Sequence, residues 1–285
     1  MQVPSPLTEL HDERLRDRDV RLYLKRDDLI SPDVPGNKWR KLKYNLVAAR
    51  ERGHHTLLTF GGAYSNHIRA TAAAGALFGF DTIGVIRGEE HRPLNDSLAL
   101  AVNRGMRLTY MDRTTYRRKT SPEVLACLAA EFGDFYLVPE GGTNMLALKG
   151  CMELPAEIDL DFDVLCCACG TGGTLAGLAA GLRPGQHALG FSALKGGEFL
   201  ADDVRRLQTE AFGAETGNWS IDFASHFGGY AKRTPELDQF ASDFRRRHDV
   251  DLDRVYVAKM LHGVFARVRD GRFPAGSVVV AVVTG

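Results

Sequence analysis

The chain of 285 residues has no excess of charge, with 36 Lys and Arg against 36 Asp and Glu. Without a basic surplus there is no bulk field to draw it to nucleic acid or to an anionic membrane. No apolar run is long enough to cross a bilayer. The first residues, Met1-Gln2-Val3-Pro4-Ser5-Pro6, lack the basic start and apolar stretch of a secretion signal, so a cytoplasmic protein is expected. Cysteine is scarce, and its count of five is odd, which argues against a disulfide framework. Cys166, Cys167 and Cys169 crowd one apolar run, but no histidine stands near them at zinc spacing. Adjacent strand residues point to opposite faces. The cysteines therefore read as small buried hydrophobes, and no metal is expected.

Glycine, by contrast, is abundant. Thirty glycines, several in pairs, imply many tight turns and close backbone approaches. Short apolar runs alternate with amphipathic stretches. Strands are expected at 56–60, 81–86, 107–111, 135–138, 164–168, 188–193 and 277–283. Helices are expected at 68–78, 94–103, 122–132, 146–158, 175–182, 202–212, 236–247 and 258–269. Pro155 should bend the helix at 146–158 or end it early. The Val-rich run at 277–283 reads as a strand buried on both faces. Such alternation predicts right-handed βαβ units and parallel sheets with helices on both faces. No repeat or low-complexity linker marks a domain boundary.

Three segments carry chemistry. In Gly36-Asn37-Lys38-Trp39-Arg40-Lys41, Lys38 stands at the start of a helix, where unpaired N–H groups and the positive dipole end lie close. That setting favours the neutral amine that a Schiff base needs; a surface lysine of a basic helix is the plainer alternative. In Gly61-Gly62-Ala63-Tyr64-Ser65-Asn66-His67 a strand runs into a glycine turn and then a helix. Ser65 or Asn66 caps that helix, with or without a carboxylate bound at its free N–H groups. In Cys169-Gly170-Thr171-Gly172-Gly173-Thr174-Leu175, a strand, a glycine loop and a helix form a nest of N–H donors with two hydroxyls, suited to one dianionic phosphate. It is no Walker loop, because no Gly-Lys-Ser/Thr follows, and Leu175 breaks the dinucleotide fingerprint. Tyr230 and Tyr256 lie in glycine-rich or apolar surroundings and are candidate proton donors, or else core aromatics. Thr284 sets a hydroxyl at the carboxyl end of a buried strand, where ligands gather in open α/β sheets.

One lysine, a phosphate cradle, a carboxylate-binding helix start and a strand-end hydroxyl point together to pyridoxal phosphate. The chain resembles the 1-aminocyclopropane-1-carboxylate deaminase and D-cysteine desulfhydrase family over nearly its whole length. The likeness runs through Pro4-Ser5-Pro6-Leu7-Thr8, Tyr23-Leu24-Lys25-Arg26-Asp27-Asp28-Leu29, Gly36-Asn37-Lys38, and Gly61-Gly62 with Ser65-Asn66-His67. It continues through Pro139-Glu140-Gly141-Gly142-Thr143-Asn144 and the Gly170–Thr174 loop, and ends with Val255-Tyr256 and Thr284-Gly285.

The resemblance implies fold type II, the fold of the tryptophan synthase β-subunit: two open parallel-sheet α/β domains with the cofactor between them. The larger domain would comprise 1–38 and 139–285, and the smaller one 39–138. It implies that Lys38 binds the cofactor covalently and, once freed by an amino acid, takes the α-proton. Asn66 would meet the phenolic oxygen, Gly170, Thr171, Gly172, Gly173 and Thr174 the phosphate, and Thr284 the ring nitrogen. Ser65 would hold the substrate carboxylate, with Asn66, His67 and Tyr230 also facing substrate and Tyr256 aiding the leaving group. The implied activity is desulfhydrase-like α,β-elimination from a small amino acid by a homodimer, giving a keto acid, ammonia and, from cysteine, sulfide. Cyclopropane-opening relatives carry Tyr-Glu where this chain has Tyr256-Val257, so ring opening is the second reading. Hydroxyamino acid dehydration, racemisation and a non-catalytic cofactor binder are further alternatives, and a nucleotide-binding protein is the most distant.

Overall fold

The computed structural model describes residues 1–34 and 36–284; Pro35 and Gly285, the latter part of the Thr284-Gly285 motif above, lie outside the described residues. The chain divides into two compact units, Met1–Asn37 with Leu148–Gly285, and Lys38–Ala147. Among the described residues the strands in chain order are β1 (Leu7–Leu10), β2 (Arg21–Arg26), β3 (Thr56–Gly61), β4 (Asp81–Arg87), β5 (Met106–Met111), β6 (Tyr136–Val138), β7 (Val164–Cys169), β8 (His187–Ser192), β9 (Trp219–Asp222) and β10 (Val278–Val283).

The larger unit holds a sheet in the order β1-β2-β10-β7-β8-β9. It is parallel except for β1, which pairs antiparallel with β2 at one edge. Every residue of β10 is buried, which explains its unbroken run of Val and Ala. The adjacent cysteines part as the pleat requires. Cys166 joins the core built with Val279, Ala281 and the helix Val257–Arg269. Cys167 and Cys169 join the opposite core with Val280, Val282 and the helix Gly173–Ala180. All five cysteines are free thiols. The helix expected at 146–158 stops early: Met145–Met152 is helical, and a short 3-10 turn, Leu154–Glu157, follows with Pro155 in its first positions.

Strands β1, β2 and β9 escape the sequence pattern. In β2, Arg-Leu-Tyr-Leu-Lys-Arg, Lys25 is wholly buried. Its ammonium donates to the Ser5 carbonyl at 2.6 Å and pairs with Glu157 Oε2 at 3.0 Å. The Ser5 hydroxyl donates to Asp27 Oδ1 at 2.7 Å, and the Asp27 carbonyl accepts from the Gly36 N–H at 3.0 Å. Two motifs that carry the family likeness thus form one buried brace behind Gly36.

The smaller unit has a fully parallel sheet, β5-β4-β3-β6. Residues 139–147 stay with it. Lys41 donates to the Gly141 carbonyl (3.2 Å) and to Thr143 Oγ1 (3.1 Å), and Asn144 donates to Asn45 Oδ1 at 2.7 Å. Helix Asn66–Phe78 starts at its Ser65 cap and ends at Gly79, whose φ of 72° is the left-handed stop that glycine permits.

Candidate active site

In the larger unit, β10 and β7 are parallel neighbours with Ala281 opposite Cys166. Both therefore leave the sheet at the same edge, one into Thr284 and the other into Gly170. Gly172 has a φ of 74° and opens the helix Gly173–Ala180, and no side chain caps that start. Gly172, Gly173 and Thr174 are buried. A buried helix start with no capping side chain has first-turn N–H groups suited to an anion. No Cβ fits easily at Gly172, because Val204 Cγ2 would lie 2.9 Å from it. The loop is therefore shaped as a backbone cradle, which fits a phosphate dianion.

Two further residues meet this loop. Asn37 Nδ2 donates to Thr174 Oγ1 at 3.0 Å. Asn37 is the chain neighbour of Lys38, and its backbone path is set by Gly36, which runs against Thr284 so closely that a Cβ would lie 1.8 Å from the Thr284 carbonyl oxygen. Tyr256 packs over Gly170, with its hydroxyl 3.1 Å from where a Cβ would stand. Tyr230, 39% exposed, meets Tyr256 edge to face at 5.9 Å between ring centroids. The loop, both tyrosines and Thr284, all expected from sequence, thus share one region of this unit.

In the smaller unit, Lys38 is the second residue of the helix Asn37–Glu51 and is half-buried. Ser65 Oγ accepts the Ile68 N–H at 3.4 Å and so caps its helix; Ser65 and the following Asn66 are half-buried. His67 is only 2% exposed. The Thr59 hydroxyl donates to the Val138 carbonyl at 2.8 Å, so it accepts from His67 Nε2–H, also at 2.8 Å. That fixes the tautomer and leaves His67 Nδ1 a buried acceptor with no partner among the described residues. Burial first, then the charges of Lys38 and Lys41, holds the imidazole well below its ordinary pKa. His67 is therefore a neutral buried support beneath the Ser65-Asn66 turn, and it senses the charge of Lys38.

Sequence reasoning passed over Asn37, although it stands in the quoted Gly36-Asn37-Lys38. It also passed over Asp253, whose carboxylate accepts the N–H groups of Val255, Tyr256 and Val257 at 2.9, 3.0 and 2.8 Å. An aspartate just ahead of a helix was the available signal.

The pattern of the pyridoxal-phosphate dependent enzyme family matches residues 2–285. A D-cysteine desulfhydrase of Klebsiella pneumoniae (strain 342) is 28% identical over 307 residues, covering 99% of this chain and 92% of that protein. A mitochondrial protein of Arabidopsis thaliana, named as a bifunctional D-cysteine desulfhydrase/1-aminocyclopropane-1-carboxylate deaminase, is 28% identical over 291 residues, covering 93% of this chain and 72% of that protein. Among solved structures, an ACC deaminase homologue matches with a TM-score of 0.85 at 29% identity, over 99% of this chain and 89% of that one.

Proposed function

We propose, for a chain that belongs to the family of pyridoxal-phosphate dependent enzymes, that it is a desulfhydrase-like lyase eliminating the α-proton and the β leaving group of a small amino acid. It is an enzyme of fold type II, and its cofactor is pyridoxal 5'-phosphate. For cysteine the balance is one cysteine and one water consumed, with one sulfide, one pyruvate and one ammonia released. One observation carries the reading: the residue that ties down the uncapped glycine cradle, Asn37 on Thr174, is the chain neighbour of Lys38.

The cofactor, when bound, supplies an electron sink for the charge left by the departing α-proton. In this proposal Lys38 Nζ bonds the cofactor and, when free, holds the α-proton. The N–H groups of Gly170–Thr174 and the hydroxyls of Thr171 and Thr174 bind the phosphate. Asn66 orients the phenolic oxygen, and Thr284 faces the ring nitrogen. A hydroxyl there, unlike a carboxylate, leaves that nitrogen largely neutral. Ser65 and the helix N–H groups beside it bind the substrate carboxylate, with Asn66 in the same turn; His67, expected to face substrate, is instead the buried support beneath that turn. Tyr256 Oη delivers a proton to the leaving group, and Tyr230 lines the substrate beside it.

Val257 is wholly buried and carries no carboxylate, which supports elimination from cysteine over cyclopropane opening. The second reading, 1-aminocyclopropane-1-carboxylate deaminase, stands on the double name of the Arabidopsis relative and on the likeness to the solved ACC deaminase homologue. Free buried thiols support a cytoplasmic setting, and the homodimer of the family likeness completes the proposal. The deciding experiment is the visible spectrum of the purified protein with D-cysteine, L-cysteine, D-serine and the cyclopropane amino acid added in turn. A cofactor band that shifts with D-cysteine, with keto acid and sulfide formed, is the expected result. Keto acid from the cyclopropane substrate alone would install the second reading, and no cofactor band after reconstitution would overturn both.

A further inference from the structure

The segment that carries Tyr230 is backbone-strained. Between residues 227 and 231, Phe227 (φ 51°), Gly228 (87°), Gly229 (117°) and Ala231 (55°) all have positive φ. Left-handed geometry at Phe and Ala persists only where the surroundings impose it. The imposing group is Lys259, on the helix Val257–Arg269. Its ammonium donates to the His226 carbonyl at 3.0 Å and to the Gly229 carbonyl at 2.7 Å, gripping the turn at both ends of its tightest stretch.

Lys259 is 1% exposed, and its neighbours Val257, Ala258, Met260 and Leu261 are wholly buried. An apolar residue is the ordinary occupant of such a position. Burying an ammonium there is costly unless it satisfies polar groups that nothing else reaches. Asp253, the carboxylate whose charge acts on Lys259, accepts three backbone N–H groups around Tyr256. Burial lowers the Lys259 pKa and raises that of Asp253, and the attraction between the two opposes both effects. One turn along the helix, Gly263 keeps the approach open: a Cβ there would lie 2.6 Å from Ser225 Oγ and 2.5 Å from the Phe191 ring.

We propose that Lys259 is a positioning residue for Tyr230: with Asp253, which holds the backbone of Tyr256, it sets the two tyrosines edge to face at the mouth of the Gly170 loop. The proposal rests on the reading of Tyr230 as a substrate-facing group, and its test separates the two. In hydrogen-exchange mass spectrometry of the cofactor-free protein, Lys259→Met is expected to speed exchange of the 226–232 amides about tenfold or more, with β7 and β8 unchanged. Unchanged exchange at the turn, or a rise shared by the whole unit, would overturn the proposal. If Lys259→Met does not fold, Lys259→Gln, a shorter and uncharged donor, is read in the same way.

A kinetic cycle on the reconstituted enzyme completes the test. If Lys259 works through Tyr230, the kcat/KM of Lys259→Met/Tyr230→Phe stays within about twofold of Tyr230→Phe alone. Losses that multiply would show that Lys259 supports something else. Should the wild type make no keto acid from any amino acid offered, the proposed function falls, while the exchange measurement still decides whether Lys259 sets the turn.

Discussion

Lys38 and Gly170 show how much one residue determines here. In the proposed function Lys38 is both the covalent hold on the cofactor and the base, so Lys38→Ala should lose roughly 1,000-fold or more in turnover. Borohydride should no longer fix the cofactor to the chain. Full turnover in that variant would remove Lys38 from its role. Gly170→Ala places a methyl 3.1 Å from the Tyr256 hydroxyl and ring edge, tighter than ordinary contact, so the ring must yield. Its kcat should fall about tenfold with little change in melting temperature, matching Tyr256→Phe in direction. A melting temperature that falls while kcat holds would mark Gly170 as a packing residue only. These residues were legible because short motifs state them: a lysine at a helix start, and glycines where a strand meets a helix. Lys259 was not legible. Its helix shows a clean apolar face at Met260, Leu261, Val264 and Phe265, and a lysine beside such a face reads as solvated. Only a turn some thirty residues earlier in the chain makes it a buried donor.

At the level of elements, legibility followed the source of each element's burial. Strand β10 declares itself because burial on both faces removes every polar residue. Strand β2 does not, because Lys25 is buried through a partner, Glu157, that lies far away in sequence. The same dependence yields a prediction. Lys25→Met removes the buried ammonium that pairs with the Glu157 carboxylate, itself only 12% exposed, and should cost roughly 3–5 kcal/mol of stability. Adding Glu157→Leu removes the other charge of the pair and should recover most of that loss. Denaturant unfolding of the two variants checks this; a double variant less stable than the single one would show that the pair contributes more than charge compensation. Because Ser5 and Asp27 join the same brace ahead of Gly36, the single variant should also weaken cofactor retention more than its stability loss alone explains.

Over the whole molecule, the candidate site residues share one position relative to the strands. Gly170 follows β7, Thr284 follows β10, and Ser65 lies just beyond β3, so the candidate site residues leave at carboxyl ends, as open α/β sheets favour. Acid stability is set elsewhere. Asp12 caps the short helix Glu13–Arg16 and accepts from Arg14 N, Arg14 Nε and His248 Nε2 at 2.9, 2.8 and 3.0 Å. It thereby ties the start of the chain to the end of the helix Pro235–His248. Burial alone would raise the Asp12 carboxyl, but the hydrogen bonds and charge of Arg14, with His248, outweigh it and bring the pKa to about 2, from 3.8. A carboxylate with a lowered folded-state pKa stabilises fully above its unfolded value and loses that contribution as pH falls through the folded one. The wild type should therefore exceed Asp12→Asn by about 2 kcal/mol at pH 7, and the gap should close between about pH 4 and pH 2. Urea titrations across that range measure it directly. No gap at any pH would mean that Asp12 contributes through its cap geometry alone, since an asparagine there keeps a capping oxygen but no charge.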